Sequence, residues 1–267
     1  MDDGFSPQEL VMTLLGSHVQ PRETRHVWSG GLVLLLAELG FSDGAARIAL
    51  ARLAHRDLLA RHKQGRHVHY SLTRRTLAVL EDGDRRIFSL GRAERPAGDW
   101  TVLWQSIPET RRRARERLVR RLRFLGFGSL QDGTWLAPLD REAEVLALLA
   151  ELDVTEHASL LLGRPSAALD LRAFVTRAWD LDELDRRYRK FVAEFGSAGE
   201  PGSDRDAFRL RTRLVHTFRE FPALDPELPG ELIPVPGKRA AAVALFHDLY
   251  AALAPAAQRH FDEVTRV

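Results

Sequence analysis

Apolar residues recur at helical spacing from Pro7 to Gly16, where Leu10, Val11, Leu14 and Leu15 make one stripe, and again in the run Gly31 to Leu39. The polar stretch Ser17 to Arg25 separates these two expected helices. A third begins after Ser42, a suitable N-cap, and carries Ala46, Leu50 and Leu53 on one face through to Arg56. The period then shortens to two. Leu58, Ala60 and His62 alternate up to a turn at Gln64-Gly65, and His67, His69 and Ser71 alternate after it, which predicts a two-stranded hairpin over Leu58 to Leu72. Helix, helix, helix and hairpin in that order predict a winged helix-turn-helix, closed by a helix from Arg74 to Leu90. The clearest linker, Gly91 to Asp99, follows.

Beyond it Trp100 to Ile107 reads as a buried strand and Glu109 to Leu125 as a helix with Ala114, Leu118, Leu122 and Leu125 inward. Phe127 to Leu130 and Gly133 to Leu136 read as a hairpin, Glu142 to Leu152 as a helix and His157 to Leu162 as a closing strand. That β-α-β-β-α-β order predicts a ferredoxin-like domain. Long amphipathic helices then cover Leu169 to Trp179, Leu181 to Phe195, Arg205 to Phe221 and Lys238 to Val264, with loops at Gly196 to Asp204 and Pro222 to Gly237. The expected fold class is α+β, divided as a winged helix over 1–90, a ferredoxin-like middle domain over 99–164 and a helical effector and dimerisation domain over 165–267.

The third helix carries the most specific chemistry. Opposite its apolar stripe stand Arg47, Ile48, Ala51, Arg52 and His55. Small and basic side chains on one helix face suit the DNA major groove, where arginine forks onto guanine and an apolar group meets a thymine methyl. Lys63, Arg66 and Arg61 would bring the hairpin to phosphate or the minor groove. From Arg47 to Arg75 eight cationic side chains face one acid, Asp57, although the whole chain is only +2 at neutral pH. Charge gathered in this way marks a phosphate-binding surface and predicts a double-stranded DNA operator as partner.

Composition narrows the remaining classes. The chain has 267 residues, 45% of them hydrophobic, enough for more than one core. No run of eighteen apolar residues occurs and the first residues, Met1-Asp2-Asp3-Gly4, are acidic, so the expectation is a cytoplasmic protein without a membrane segment. There is no cysteine, which removes disulfides and thiolate chemistry. Neither a Gly-x-Ser-x-Gly, a His-Glu-x-x-His, a phosphate-loop nor a dinucleotide fingerprint occurs, so no enzyme, cofactor or metal is expected.

Three stretches together resemble the PaaX family of bacterial transcriptional repressors: Leu39 to Leu53; Leu125-Gly126-Phe127-Gly128 with Trp135-Leu136-Ala137-Pro138; and Asp225-Pro226-Glu227-Leu228-Pro229. The resemblance covers nearly the whole chain. It implies a homodimeric, DNA-binding repressor with a Cas2-like middle domain and an acyl-CoA thioester as effector. Two departures stand out. The family's Pro-x-Trp-Pro-Gly motif is replaced by Leu232-Ile233-Pro234-Val235-Pro236-Gly237, and Ile48 stands where a hydroxylated residue is common. The second departure points to an operator different from those of relatives, and the first leaves open which acyl-CoA thioester or related ligand is the effector.

Other clusters admit two readings each. Arg111 to Arg123 holds eight arginines and one acid, Glu116, which makes either a solvated helix face or a contact for DNA backbone or CoA phosphates. His62, His67 and His69 share a hairpin face and are either wing residues near phosphate or, without a carboxylate or thiolate to join them, a weak zinc set. Ser106 falls where a Cas2-like nuclease would need a metal-binding aspartate, which argues against cleavage. Arg209, Arg213, His216 and Glu220 form a polar stripe, with Arg219 nearby, that either binds the polar part of an acyl-CoA, beside aromatics such as Trp179, Tyr188 and Phe191, or makes an interdomain salt-bridge network. Two further classes stay open: a nucleic-acid-processing enzyme built on the middle domain, and a constitutive DNA-binding protein without effector.

Overall fold

The computed structural model describes residues 5–19, 22–92, 99–166, 168, 170–229, 232 and 236–267. Most of the expected linker, the acidic residues 1–4, and Ile233, Pro234 and Val235 of the departing motif lie outside the described residues. Contacts divide the chain into two compact units. One comprises Met1–Arg86, Glu194–Arg219 and Ala244–Val267, the other Ile87–Ala193 and Glu220–Val243. The helical segment that follows residue 165 thus contributes to both units.

The first unit opens with α1 (Pro7–His18), started by a capping box in which Ser6 Oγ accepts from the Glu9 amide and Glu9 accepts in return from the Ser6 amide. Then come β1 (Val27–Trp28), α2 (Ser29–Glu38), α3 (Asp43–His55), β2 (Leu59–Gln64), β3 (His67–Leu72) and α4 (Arg74–Ser89). The sheet has three antiparallel strands in the order β1-β3-β2 rather than the two expected, because Val27 and Trp28 pair with Tyr70 and His69. A two-residue strand is too short to show a period of two. Leu10, Val11, Leu14 and Leu15 of α1, Leu32, Leu35 and Leu36 of α2, and Ala46, Leu50 and Leu53 of α3 pack with Leu59, Tyr70 and Leu72 in one core.

The second unit contains β4 (Trp100–Gln105), α5 (Arg112–Phe124), β5 (Gly128–Gln131), β6 (Thr134–Ala137), α6 (Glu142–Glu151) and β7 (Ala158–Gly163). Its antiparallel sheet, ordered β5-β6-β4-β7, is the ferredoxin-like arrangement. Period-two alternation gives each face a core. Leu103 and Trp135 meet Leu118 and Leu122 of α5 and Val145 and Leu149 of α6, whereas Trp100 and Leu136 meet Val175, Trp179 and Leu181. These last residues introduce α7 (Leu171–Ala178) and α8 (Leu181–Gly196).

Helix α9 (Asp204–Phe218) is capped by Ser203, which accepts from the Asp206 amide at 3.1 Å. After the short α10 (Phe221–Leu224) comes α11 (Pro236–Thr265). From Lys238 to Thr265 this helix is long and apolar enough to cross a membrane by length and composition alone. It places Ala257 and Phe261 in the winged-helix core instead, together with Phe208 of α9. The approach to α2 is close. A β-carbon on Gly31 would stand 2.6 Å from the Val264 carbonyl oxygen and 2.7 Å from Thr265 Cα, so only glycine fits there.

Candidate nucleic-acid interface

Helix α3 divides as its sequence pattern requires. Ala46, Ala49, Leu50 and Leu53 are buried, and Arg47, Ile48, Ala51, Arg52 and His55 are exposed, Ile48 at 54%. Ser42 Oγ accepts from the Ala45 amide at 3.2 Å and sets the helix start. Neither Arg47 nor Arg52 has an acidic partner among the described residues. An exposed isoleucine between these guanidiniums suits contact with a thymine methyl in the major groove.

The wing rises from a tight corner where Asp57 adopts a φ of 55°. Two threonines fasten its base: Thr73 Oγ1 donates to the Asp57 carbonyl at 2.9 Å and Thr76 Oγ1 to the Leu58 carbonyl at 2.6 Å. These bonds tie both ends of the hairpin to the end of α3, so wing and helix hold a fixed relation. Neither threonine stands out in the sequence. At the tip Gln64 faces His67 across a two-residue loop, and Gly65 takes a φ of 59°, the positive value required at the first position of such a turn. Arg61, Lys63 and Arg66 are exposed, and Arg66 Nε donates to His67 Nε2 at 3.3 Å.

Pairing of His62 with His69 and of Gln64 with His67 puts the three histidines on one sheet face, as the alternation predicts. His62 stacks on His26 with centroids 4.1 Å apart and hydrogen-bonds Ser71 Oγ at 2.8 Å, while Trp28 meets His67 edge-on. Among the described residues no three His, Asp or Glu side chains gather into a metal-binding group. Burial, followed by the nearby charges of His67, His26 and His62, pushes His69 below the usual imidazole range and favours its neutral form.

The other expected site residues occupy varied surroundings. Arg209 is exposed. Arg213 pairs with Glu194 at 2.5 Å, and Arg219 donates to Thr13 Oγ1 at 3.0 Å and lies 3.9 Å from Glu9. His216 is buried, hydrogen-bonds Thr13 Oγ1 through Nδ1 at 2.9 Å and packs edge-on against Phe5. Burial, reinforced by the Arg219 charge, holds it at about 4, so it is neutral near pH 7. The stripe thus faces α1 and α8 within the first unit, while Trp179, Tyr188 and Phe191 belong to the second.

Arg111, just before α5, and Arg112, Arg115 and Arg117 on it pair with Asp153, Glu116, Glu109 and Glu151. Arg113, Arg120, Arg121 and Arg123 have no acidic partner among the described residues. Ser106, just past β4, is exposed, and its amide donates to the His157 carbonyl at 2.8 Å.

A winged helix with an exposed basic α3, joined in one chain to a ferredoxin-like domain and further helices, defines the class. Family profiles described as PaaX-like protein, PaaX protein central Cas2-like domain and PaaX-like protein C-terminal domain match residues 6–76, 93–175 and 179–263. The transcriptional repressor PaaX of Escherichia coli (strain K12) is 30% identical over 264 residues, covering 94% of this chain and 82% of that protein. The chain belongs to the PaaX family. In structure it is similar to the uncharacterized protein Rv0674 of Mycobacterium tuberculosis, with a TM-score of 0.58, 24% identity and coverage of 96% and 98% of the two chains, which supports the fold.

Proposed function

We propose that this protein is a transcriptional repressor that binds double-stranded operator DNA, with α3 in the major groove and the wing on the flanking backbone. The observation that carries this reading is the exposed α3 face, where Arg47 and Arg52 flank Ile48 and Ala51 with no acidic partner among the described residues. The name of the Escherichia coli relative supports repression as the outcome. Arg47, Ile48, Ala51, Arg52 and His55 read base edges, and Arg61, Lys63 and Arg66 contact phosphate. The protein acts in the cytoplasm as a homodimer on two half-sites about 34 Å apart.

Family membership supports an acyl-CoA thioester as the ligand that releases the operator. Such a ligand acts only through a difference in affinity between the DNA-binding geometry and another. A direct ligand contact by Arg213, His216 or Arg219 requires displacement of the Glu194 and Thr13 partners described above. Arg209, being exposed, faces no such cost.

The test is selection of bound sequences from random double-stranded DNA, followed by titration of the selected site at fixed salt. A recurring palindromic site bound far more tightly than random DNA is expected. Equal affinity for all sequences would leave a constitutive, non-specific DNA-binding protein, and metal-dependent strand cleavage would favour an enzyme.

A further inference from the structure

We propose that a cleft of about 930 Å³ in the second unit, between α5 and the β5–β6 hairpin, binds a phosphate-bearing small molecule of the size of a nucleotide coenzyme. Its volume lies in the upper part of the range for small-molecule sites, roughly 300 to 1,000 Å³. The location follows from the amphipathic pattern of α5. Leu118 and Leu122 anchor that helix on the sheet, which leaves Arg115, Val119 and Arg123, each four residues apart, along the cleft with Arg120 beside them.

The charge left in the cleft is positive. Arg115 is held by Glu109, and the α5 acid that lines the cleft, Glu116, is held by Arg112 at 2.9 Å. Asp132 is the remaining acid, whereas neither Arg120 nor Arg123 has an acidic partner among the described residues. Two guanidiniums three residues apart on a helix present a double fork, which matches the oxygens of a diphosphate better than a single carboxylate. Hydroxyls of Ser106 and Ser129 add uncharged donors, and Val119 and Ile107 offer an apolar wall for the organic part.

An independent observation points to a missing acceptor. Trp135 lines the same cleft, is 5% exposed, and its buried indole Nε1 has no hydrogen-bond partner among the described residues. Buried indole N–H groups are normally satisfied, and an unmade bond carries the full desolvation cost. A ligand oxygen entering the cleft would supply that acceptor. Ser106, where a nuclease of this fold would place a metal-binding aspartate, lines the cleft as a neutral hydroxyl, so the position is free for an anion.

This site deepens the effector reading above and rests on it only for the consequence at DNA, so binding and operator release are measured separately. With the full chain, coenzyme A, ADP and inorganic pyrophosphate are titrated by calorimetry, with phenylacetate as the phosphate-free control. Saturable binding of the phosphate-bearing probes is expected, weakened about tenfold or more in R120A/R123A, whose side chains are exposed and whose loss leaves the fold intact. W135F, which keeps the ring but removes the N–H, should weaken binding by a smaller factor. No binding by any phosphate-bearing probe, or undiminished binding in R120A/R123A, overturns the site. Reduced affinity of that variant for double-stranded DNA, with no small-molecule binding, would overturn it in favour of a backbone contact. Binding that leaves operator affinity unchanged supports the site and removes the effector reading alone.

Discussion

Tyr188 on α8 donates its phenolic hydrogen to Asp225 Oδ2 at 2.7 Å inside the second unit, where Asp225 is 5% exposed. Arg239 of α11 lies 2.9 Å from the same oxygen and 3.7 Å from Glu227, and Asp225 Oδ1 accepts from the Glu227 amide at 2.6 Å. One carboxylate therefore joins α8, α11 and the turn after α10. Burial, then the Asp225 charge, drives the Tyr188 hydroxyl well above its ordinary range and keeps it a donor. The Asp225-Pro226-Glu227-Leu228-Pro229 stretch, informative in sequence only as a resemblance, has this structural reason: Glu227 takes a φ of 55° while its amide and its carboxylate are both engaged.

Asp225→Ala should destabilise the second unit strongly, because it leaves the buried Arg239 and Tyr188 groups with unmade interactions. Breaking a buried pair in this way costs about 3 kcal/mol or more, whereas Tyr188→Phe removes one neutral donor and costs about 1 kcal/mol. Urea titration should give that order. Equal stability of the Asp225 variant and the parent would show that the cluster contributes no net stabilisation.

Much of the fold was readable because its signals are local. The stripe on α3 needs only neighbouring residues and is reproduced in the burial, and the alternation in β2 and β3 is enough to place His62, His67 and His69 on one face. What was not readable is pairing across long separations. Phe208 and Phe261 lie on the apolar faces of α9 and α11, yet nothing in their own segments says that those faces close the core of α1 to α3. Gly31 is the trace of that packing on the other side, and as one of the pair Gly30-Gly31 at the start of a helix it has several possible meanings in sequence.

Arg47→Ala and Arg52→Ala should each abolish preference for the selected operator without unfolding the protein, since both side chains are exposed and have no acidic partner among the described residues. A lost guanine contact costs about 1 to 3 kcal/mol per half-site, and a dimer loses it twice. Gel-shift titration at constant salt measures this. Parent-like affinity in both variants would remove α3 from the base-reading role.

The wing should respond in another way. Lys63→Ala with Arg66→Ala removes two charges at the tip while leaving the Thr73 and Thr76 latch in place. Specific and non-specific DNA should weaken together, and the slope of log affinity against log salt should flatten by about four, since the dimer loses both charges in each protomer. A loss confined to the specific site, with an unchanged slope, would mean that the wing reads bases.

The polar stripe of α9 shows where side-chain chemistry was legible and its partner was not. Helical spacing groups Arg209, Arg213, His216 and Arg219, but Thr13 and Glu9 lie about two hundred positions away and Glu194 on a different helix. A titratable residue on such a stripe suggests a ligand as readily as a buried seam. If Arg213 does contact the effector, Arg213→Ala should leave operator affinity nearly unchanged and weaken its release by ligand; a fall in thermal stability alone would assign it to packing with Glu194.

Acid should unfold the first unit through two buried imidazoles. His18, beneath Phe208 and Phe261, is held at about 3, mainly by burial and then by the Arg211 charge, and His216 at about 4, against an ordinary value of 6.5. Both folded-state values are depressed, so the unfolded chain binds more protons than the folded one below 6.5. Their neutral packing therefore contributes fully above 6.5, and stability falls as the pH drops from there towards about 4, where His216 begins to take up its proton in the folded state as well. Each such group adds a slope of about 1.4 kcal/mol per pH unit in that window. Thermal melts of the parent and of His216→Asn, whose amide can keep the Thr13 hydrogen bond, separate this from general acid unfolding. The variant should lose the slope of one group between 6.5 and 4, and an identical acid limb in both proteins would exclude His216 as a source of the pH dependence.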